Sequence, residues 1–285
     1  FFFFDSLTSF FKSLSLHVAL PFSRLFLNSK TERQAVEAGA LILIFVLIAL
    51  TIRHIAGEGS LNGPFSGMGE ASAYAIAYFG MAASFARRLS DKAWLFKLAE
   101  YIAVAIGAGA VLLALSYVGM GPVGEMPVIN LLAAAFAMPA LLIAAYGAGL
   151  RRADRTNEAT LASCGAMLLG FIYVSLEVAR AFGGQALLAF YGDFGWAYSP
   201  AWIGYAVALL VWGVYRRRRA PRYASLAILL AALAKVFLID MAALEGAARA
   251  GSFIGLGAAL IGVALFYQRF LFAPQTKSEP DPDTS

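Results

Sequence analysis

The chain has 285 residues, of which 61% are hydrophobic and 14% are charged, and its formal net charge is +5. Soluble domains are about 25% charged, so the composition excludes an ordinary soluble domain and predicts a multi-pass membrane protein. A single cysteine, Cys164, excludes an intramolecular disulfide and a thiolate metal cluster. We expect no cofactor, and we interpret the positive charge as basic loops at anionic lipid rather than as a nucleic-acid surface.

Residues 1–33 predict an interfacial or partial membrane segment rather than a full span. They are apolar and aromatic, but Asp5, Lys12 and Pro21 interrupt them. The chain starts at Phe1, and neither a basic leader nor a small-residue cleavage site of a signal peptide is recognisable. We therefore expect an upstream part of the same polypeptide before Phe1.

Eight apolar stretches follow, and they predict an all-α membrane protein with about eight transmembrane helices. The second stretch is the shortest. The predicted spans are 35–54, 71–85, 98–117, 128–150, 160–182, 196–215, 223–244 and 250–272. Residues 273–285 are polar and rich in proline, and they predict a disordered tail.

The basic residues favour one orientation of these spans. With eight spans, the loops and ends that contain clustered lysine and arginine all fall on one side, which the positive-inside rule identifies as cytoplasmic. Only Arg53, Arg180 and Arg249 fall on the other side. We therefore expect a protein of the bacterial inner membrane with both termini in the cytoplasm.

The sequence also predicts an internal duplication. Residues 37–59 resemble residues 163–185, and the span that follows ends in basic residues in both copies. The copies are predicted to be tandem four-helix repeats over residues 34–152 and 160–272. Each copy holds an even number of helices, so the two repeats have the same orientation in the membrane.

Charged residues in the second repeat need partners, because unpaired charge at membrane depth is costly. Glu177 and Arg180 are three residues apart and can pair on one helix face. Lys235 and Asp240 are five residues apart and point roughly 140° away from each other on an α-helix, so we expect them to pair poorly. The predicted arrangement is a cross-helix ladder that joins Glu177 to Lys235 and Arg180 to Asp240.

Glu245 and Arg249, four residues apart, are predicted to cap this ladder at the outer surface. Three interpretations stay open: the ion pairs hold two spans together, they line a polar cavity for an ion, proton or headgroup, or the charges reach the interface without pairing. The first repeat has few such charges, so the second is expected to carry the chemistry. Glu37 and Glu100 lie near the cytoplasmic interface and are expected to reach water.

Small residues form a stripe on the last span, which predicts close helix packing. The stripe consists of Gly251, Ser252, Gly255, Ala259 and Gly262. We find no nucleophile with a base at a plausible spacing and no metal-ligand set in the sequence. We therefore assign no catalytic or metal-binding residue and do not expect an enzyme.

Residues 222–272 resemble the end of a known family. The pattern runs from KVFL at Lys235 through Asp240 to SFIGLG, which ends at Gly257. Residues 176–184, LEVARAFGG, are similar to a second family element, LEVRRAFHG, from which Ala179 and Gly183 depart. These elements resemble the domain-of-unknown-function 2339 family of predicted bacterial multi-pass membrane proteins. The resemblance implies the C-terminal part of a longer protein and implies no activity.

Three functions from different classes stay open, and the third, an intramembrane enzyme, is the least expected because no nucleophile–base pair or metal-ligand set is found. The first is a structural or assembly component of a cell-envelope complex. The alternative is a transporter, or a protein that handles a lipid-linked substrate, in which the charged residues of the second repeat form the working site. The expected partners are membrane lipids, together with other membrane subunits or the upstream part of the same polypeptide, and no nucleic acid.

Overall fold

A computed structural model describes residues 30–88, 94–124, 126–183, 195–240 and 246–270. Within these ranges all regular structure is helical, which confirms the all-α prediction. Residues 1–29 of the predicted segment 1–33, the predicted tail and Glu245 lie outside the described residues, whereas residues 30–33 belong to the first described helix. The chain forms two compact units, Phe1–Tyr173 and Val174–Ser285.

Eight α-helices occupy most of the described ranges, and each coincides with most or all of one predicted span. They are α1 (Lys30–Ala56), α2 (Met68–Arg88), α3 (Trp94–Ser116), α4 (Met138–Arg152), α5 (Thr156–Gly183), α6 (Tyr198–Tyr215), α7 (Arg219–Lys235) and α8 (Gly246–Phe270). A π-helical segment, Ala133–Ala137, precedes α4, and a second, Val236–Asp240, follows α7. A 3-10 turn, Gly195–Ala197, precedes α6.

Six stretches of the described chain are long and apolar enough to cross a membrane. They are Gln34–Ala56, Trp94–Ser116, Ala133–Arg152, Thr156–Phe182, Gly195–Tyr215 and Arg219–Asp240. Helix α8 contributes a shorter apolar stretch, Phe253–Leu265, and α2 is not among the six. The structure therefore supports a membrane protein with several apolar helices.

The packing of α2 explains why this helix is less apolar than the six candidate spans. It packs against α3 and α4 in the first unit, and Ala71, Ala75 and Ala82 on it are completely buried. Small side chains allow neighbouring backbones to approach closely. A helix that is covered by other helices does not need a continuous apolar surface toward lipid, which explains why hydropathy alone ranks α2 low.

Glycines mark the closest approaches between helices of the first unit. A Cβ atom at Gly107 of α3 would lie 3.0 Å from the ring of Phe79 on α2. A Cβ atom at Gly149 of α4 would lie 3.1 Å from the Cβ of Ala86. The absence of a side chain at these positions therefore sets the spacing of α2 from α3 and α4.

Substitution of Gly107 by alanine is expected to lower the free energy of unfolding by about 1–2 kcal/mol, because the added methyl group meets the Phe79 ring. Gly109, two residues later on the same helix, faces open space, with no atom within 4 Å of a Cβ built there. Gly109→Ala is the matched control, and it should be neutral or stabilising by up to about 1 kcal/mol because alanine favours helix. Thermal unfolding in a mild detergent measures both, and equal effects of the two variants would contradict the packing argument.

The second unit contains a tight antiparallel hairpin of α6 and α7. Only residues 216–218 separate the two helices, and Arg217 adopts a left-handed conformation with φ of 50°. Gly213 lies so close to α7 that a Cβ atom there would be 2.9 Å from Cγ of Arg222. Helix α8 is joined to α7 by a 2.6 Å hydrogen bond between the Ser225 and Tyr267 hydroxyls.

Candidate functional site

Glu177 and Arg180 form an ion pair on α5, as their spacing predicted. The Nη2 atom of Arg180 lies 2.7 Å from Oε1 of Glu177, and its Nε atom donates to the same oxygen at 3.0 Å. Both side chains are largely buried. Two donors to one carboxylate oxygen hold the guanidinium against the helix, so this pair stabilises a charged position within a candidate span.

Lys235 and Asp240 also form an ion pair, and the expectation that they pair poorly is wrong. Nζ of Lys235 donates to Oδ1 of Asp240 at 2.6 Å. The reason is the π-helical segment Val236–Asp240, which begins directly after Lys235. The wider turn of a π-helix places residues i and i+5 next to each other, whereas an α-helix points them apart.

The Lys235 ammonium is bound by three acceptors, of which one lies in the 3-10 turn before α6 and one in the first turn of α6. It donates to the Gly195 carbonyl at 2.8 Å and to Oγ of Ser199 at 3.2 Å. Ser199 in turn donates to Oδ2 of Asp240 at 2.7 Å. The result is a closed network between α6 and the end of α7. A serine within an apolar segment carries no charge pattern, so sequence reasoning missed Ser199.

The predicted ladder between α5 and α7 is corrected by these contacts. In the described part of the chain, the bonds of Lys235 and Asp240 go to each other and to residues 195 and 199 rather than to Glu177 and Arg180. The side chain of Arg249 lies outside the description, as Glu245 does. Their predicted role as a cap therefore stays a prediction.

The small-residue stripe of α8 meets a neighbour at one described position. A Cβ atom at Gly255 would lie 3.3 Å from Cε1 of Phe237, in the π-helical segment. Cβ atoms at Gly251 and Gly262 would have no atom within 4 Å. Ala259 is half-buried, and the side chain of Ser252 lies outside the description. Packing along the whole stripe stays a prediction.

The first unit contains a buried carboxylate that sequence reasoning placed in water. Glu100 of α3 is only 3% exposed. The Tyr146 hydroxyl donates to it at 2.6 Å, and Nη1 of Arg155 lies 2.9 Å from it. The expectation that Glu100 reaches water is therefore wrong, because α4 and the turn before α5 cover its end of α3 and supply two donors.

Arg155 joins two carboxylates at this site. Besides Glu100, it binds Glu158, to which its Nε donates at 2.9 Å, and its guanidinium lies 5.6 Å from the centre of the Tyr101 ring. The hydrogen bonds to Glu158 and Glu100 raise the pKa of Arg155 above its usual value despite partial burial. A raised pKa keeps the cation and its stabilising effect fully present at neutral pH, and only strongly alkaline solution would remove it. We name Glu100, Tyr101, Tyr146, Arg155 and Glu158 the Glu100 cluster.

A second buried ion pair joins the start of α2 to the end of α1. The side chain of Glu70, in the first turn of α2, is 1% exposed and accepts hydrogen bonds from Nη1 of Arg53 at 2.8 Å and from the Ser66 backbone at 2.9 Å. Arg53, near the end of α1, also donates to three carbonyls of the connecting loop, those of Leu61, Gly63 and Pro64. We name Arg53, Ser66 and Glu70 the Glu70 cluster.

The two clusters give the first repeat two buried carboxylates, Glu70 and Glu100, which the search for charges at membrane depth did not single out. The sequence pointed to Arg53 only as an arginine on the outer side, and it did not indicate Glu70 as its partner, because the two lie 17 residues apart in the chain. The available signal was an acidic residue in the first turn of a helix, directly after a glycine-rich turn. The described residues contain no group of three or more His, Cys, Asp or Glu placed to hold a metal ion. Both clusters join the ends of neighbouring helices.

A double-mutant cycle tests the new pairing of Lys235. Lys235→Ala and Asp240→Ala are expected to be coupled by about 1 kcal/mol, because Nζ of Lys235 donates directly to the Asp240 carboxylate at 2.6 Å. The matched cycle of Lys235→Ala with Glu177→Ala should show coupling near zero. Unfolding of the single and double variants in detergent gives both values. A larger coupling energy of Lys235 with Glu177 than with Asp240 would contradict the new pairing and support the predicted ladder.

Comparison with known proteins identifies the family. The model of a family described as "Predicted membrane protein (DUF2339)" matches residues 4–270 of the chain. No curated protein and no solved structure gives a significant match. The match confirms the resemblance that the motifs of α5, α7 and α8 indicated, and it agrees with the six apolar helices of membrane-crossing length. The chain belongs to the DUF2339 family of predicted membrane proteins.

Proposed function

We propose that the protein is a structural or assembly component of a cell-envelope complex in a bacterial inner membrane. The observation that carries the proposal is how its buried carboxylates are bound. Glu70 and Glu100 each accept hydrogen bonds from an arginine and from a further donor. Breaking a buried pair is costly once it has formed, so such carboxylates favour one fixed packing of helices over a site that repeatedly binds and releases a cation.

We further propose eight spans, arranged as two tandem four-helix repeats over residues 34–152 and 160–272, with both termini in the cytoplasm. The coincidence of α1–α8 with the eight apolar segments supports the number of spans. The one-sided distribution of lysine and arginine supports the orientation. The expected partners are membrane lipids and other membrane subunits, or an upstream part of the same polypeptide.

Complementation of a host strain that lacks the gene tests the structural role. Loss of the gene is expected to increase sensitivity to detergent, a measure of envelope integrity. A variant that replaces the ion pair by apolar side chains, Lys235→Met with Asp240→Leu, should restore resistance, because a well-packed apolar pair can substitute for an ion pair. Lys235→Met alone should restore less, because it leaves Asp240 without its cation.

The abundance of each variant in the membrane fraction is the control for this experiment. The structural proposal fails if loss of the gene leaves envelope integrity unchanged. It also fails if the paired apolar variant reaches wild-type abundance and restores nothing, since this result assigns the charges a role beyond packing.

A transporter, or a protein that handles a lipid-linked substrate, is the second candidate, and one observation favours it. The Asp240 side chain is 22% exposed, and it belongs to a network with Lys235 and Ser199 around a π-helical segment. Such segments frequently occur at functional sites. Failure of the paired apolar variant despite normal abundance is the result that this candidate predicts.

A further inference from the structure

The turn between α6 and α7 presents four consecutive arginines to solvent. Arg216, Arg217, Arg218 and Arg219 are all exposed. We name these residues the four-arginine turn. In the described part of the chain, none of their guanidinium groups forms an ion pair, and no acidic residue lies in the first turn of α7. Among the described residues, no acidic side chain compensates these four positive charges.

The position of this turn follows from the lengths of the helices on both sides of it. The candidate spans Gly195–Tyr215 and Arg219–Asp240 contain 21 and 22 residues. At about 1.5 Å per residue, each is about as long as the hydrocarbon core is thick, roughly 30 Å. The turn that joins two such helices lies at the membrane surface, at the depth of the lipid headgroups.

The backbone of the turn is well defined. The amide of Arg216 donates to the Trp212 carbonyl at 2.9 Å, and the amide of Arg218 donates to the Gly213 carbonyl at 2.9 Å. The side chain of Arg222 packs against Gly213, and its Nε donates to the carbonyl of that residue at 3.2 Å. Arg222 thus stabilises the turn from within, while the four arginines before it point to no described acidic partner.

Exposed aromatic residues surround the turn on the membrane side. Tyr215 is 81% exposed and lies 5.9 Å from the guanidinium of Arg216, measured to the ring centre. Trp212 and Tyr223, within one turn of the helix ends, are also exposed. Tyrosine and tryptophan favour the interface between the hydrocarbon core and the headgroups. They therefore fix the depth at which the arginines lie.

The turn between α4 and α5 is also basic, but its arginines bind acidic and polar residues of the same chain. There, Arg155 binds Glu100 and Glu158, and Arg151 donates to the Ser163 hydroxyl at 2.8 Å. Asp154 adds a further negative charge. Both turns are basic, but only the four-arginine turn lacks acidic neighbours among the described residues. A general preference for basic loops does not account for this difference.

We propose that the four-arginine turn is a binding site for the headgroups of acidic phospholipids. The guanidinium group binds phosphate oxygens through paired, charge-assisted hydrogen bonds, and four of them at headgroup depth match a cluster of anionic phosphates. The four positive charges supply the attraction to the phosphates, and the exposed aromatic residues set the depth of the turn. This proposal goes beyond the structural role proposed above and does not depend on it.

Lipid binding to the intact chain in a mild detergent tests the proposal. The probes are phosphatidylglycerol and zwitterionic phosphatidylcholine of the same acyl chains, and native mass spectrometry counts the bound lipids. The test variant combines R216Q, R217N, R218Q and R219Q, with asparagine at 217 because it tolerates a positive φ. Wild type should prefer phosphatidylglycerol, and the variant should bind it at least about tenfold more weakly at low salt.

R152Q is the matched control, because Arg152 is an exposed arginine at the end of α4, next to the turn that contains acidic residues. It should leave the preference for phosphatidylglycerol unchanged. Thermal unfolding in phosphatidylcholine shows whether the fourfold variant is folded. If it is not, a second variant with lysine at all four positions keeps the positive charge and replaces it in the test. That version should retain part of the preference, since lysine keeps the attraction but loses the paired hydrogen bonds.

Two results would overturn the proposal. The first is equal binding of phosphatidylglycerol by wild type and by the folded fourfold variant. The second is strong binding of inorganic phosphate or of a soluble polyanion such as heparin, without any preference between the two lipids, which would assign the turn to a soluble anionic partner.

Discussion

Replacement of Glu100 by alanine is expected to lower the free energy of unfolding by about 3 kcal/mol or more. The substitution removes a buried partner of Arg155 and of the Tyr146 hydroxyl at once. Breaking one side of a buried ion pair typically costs about 3–5 kcal/mol, because the remaining charge is left without compensation. We place the effect at the lower end, because the Arg155 side chain is 17% exposed and retains Glu158. Thermal unfolding in a mild detergent, followed by helical circular dichroism, measures it.

Glu37→Ala is the control for Glu100→Ala, because sequence reasoning placed both glutamates in water near the same interface. Glu37 is half-buried in the structure and belongs to neither cluster, so its replacement should change stability by less than about 0.5 kcal/mol. Glu100→Gln should fall between the two, since an amide oxygen can still accept a hydrogen bond but carries no charge. Equal stability of the two alanine variants would show that Glu100 is not held as described.

Replacement of Glu70 by alanine is expected to cost a similar amount, about 3 kcal/mol, and to loosen the loop between α1 and α2. The reason is again a buried carboxylate that accepts bonds from an arginine and from backbone. Arg53 would keep its bonds to the loop carbonyls but lose the anion that balances its charge. The first readout is thermal unfolding, and the second is the rate of proteolysis between residues 57 and 67.

Glu58→Asn provides the control for this region. Glu58 is an exposed acidic residue in the same loop with φ of 51°, a conformation that asparagine tolerates. This variant should unfold and be cleaved like wild type. If Glu70→Ala lowers stability without faster cleavage of the loop, the Glu70 cluster stabilises α2 but does not order the loop.

The two clusters lie at opposite ends of α2, the helix at the centre of the first unit. The Glu70 cluster joins its start to the end of α1, and the Glu100 cluster joins the helices that surround its end. Between them, alanines and glycines allow α2 to pack closely against α3 and α4. Polar contacts at the helix ends and close packing in the middle together favour a rigid bundle, which is consistent with a structural role.

Much of the architecture was predictable from the sequence for a simple physical reason. A helix in a bilayer must satisfy its own backbone hydrogen bonds and present apolar side chains over about 20 residues, so its position is a local property of the chain. Each of the eight predicted spans coincides in large part with a helix. The pairing of Glu177 with Arg180 was also predictable, because three residues on a regular α-helix place them on one face.

The partners of the other charges depended on information that spacing does not contain. Lys235 and Asp240 meet because the backbone changes locally from α- to π-helix, so an angle calculated for a regular α-helix pointed them apart. Glu100 is buried because Tyr146 and Arg155, distant in the chain, are brought to it by the packing of three helices. The sequence by itself determined the family, the helical class and the helix positions, since these follow from local composition. Only the tertiary structure decided which charges are buried and which residues they bind, since these depend on contacts between segments far apart in the chain.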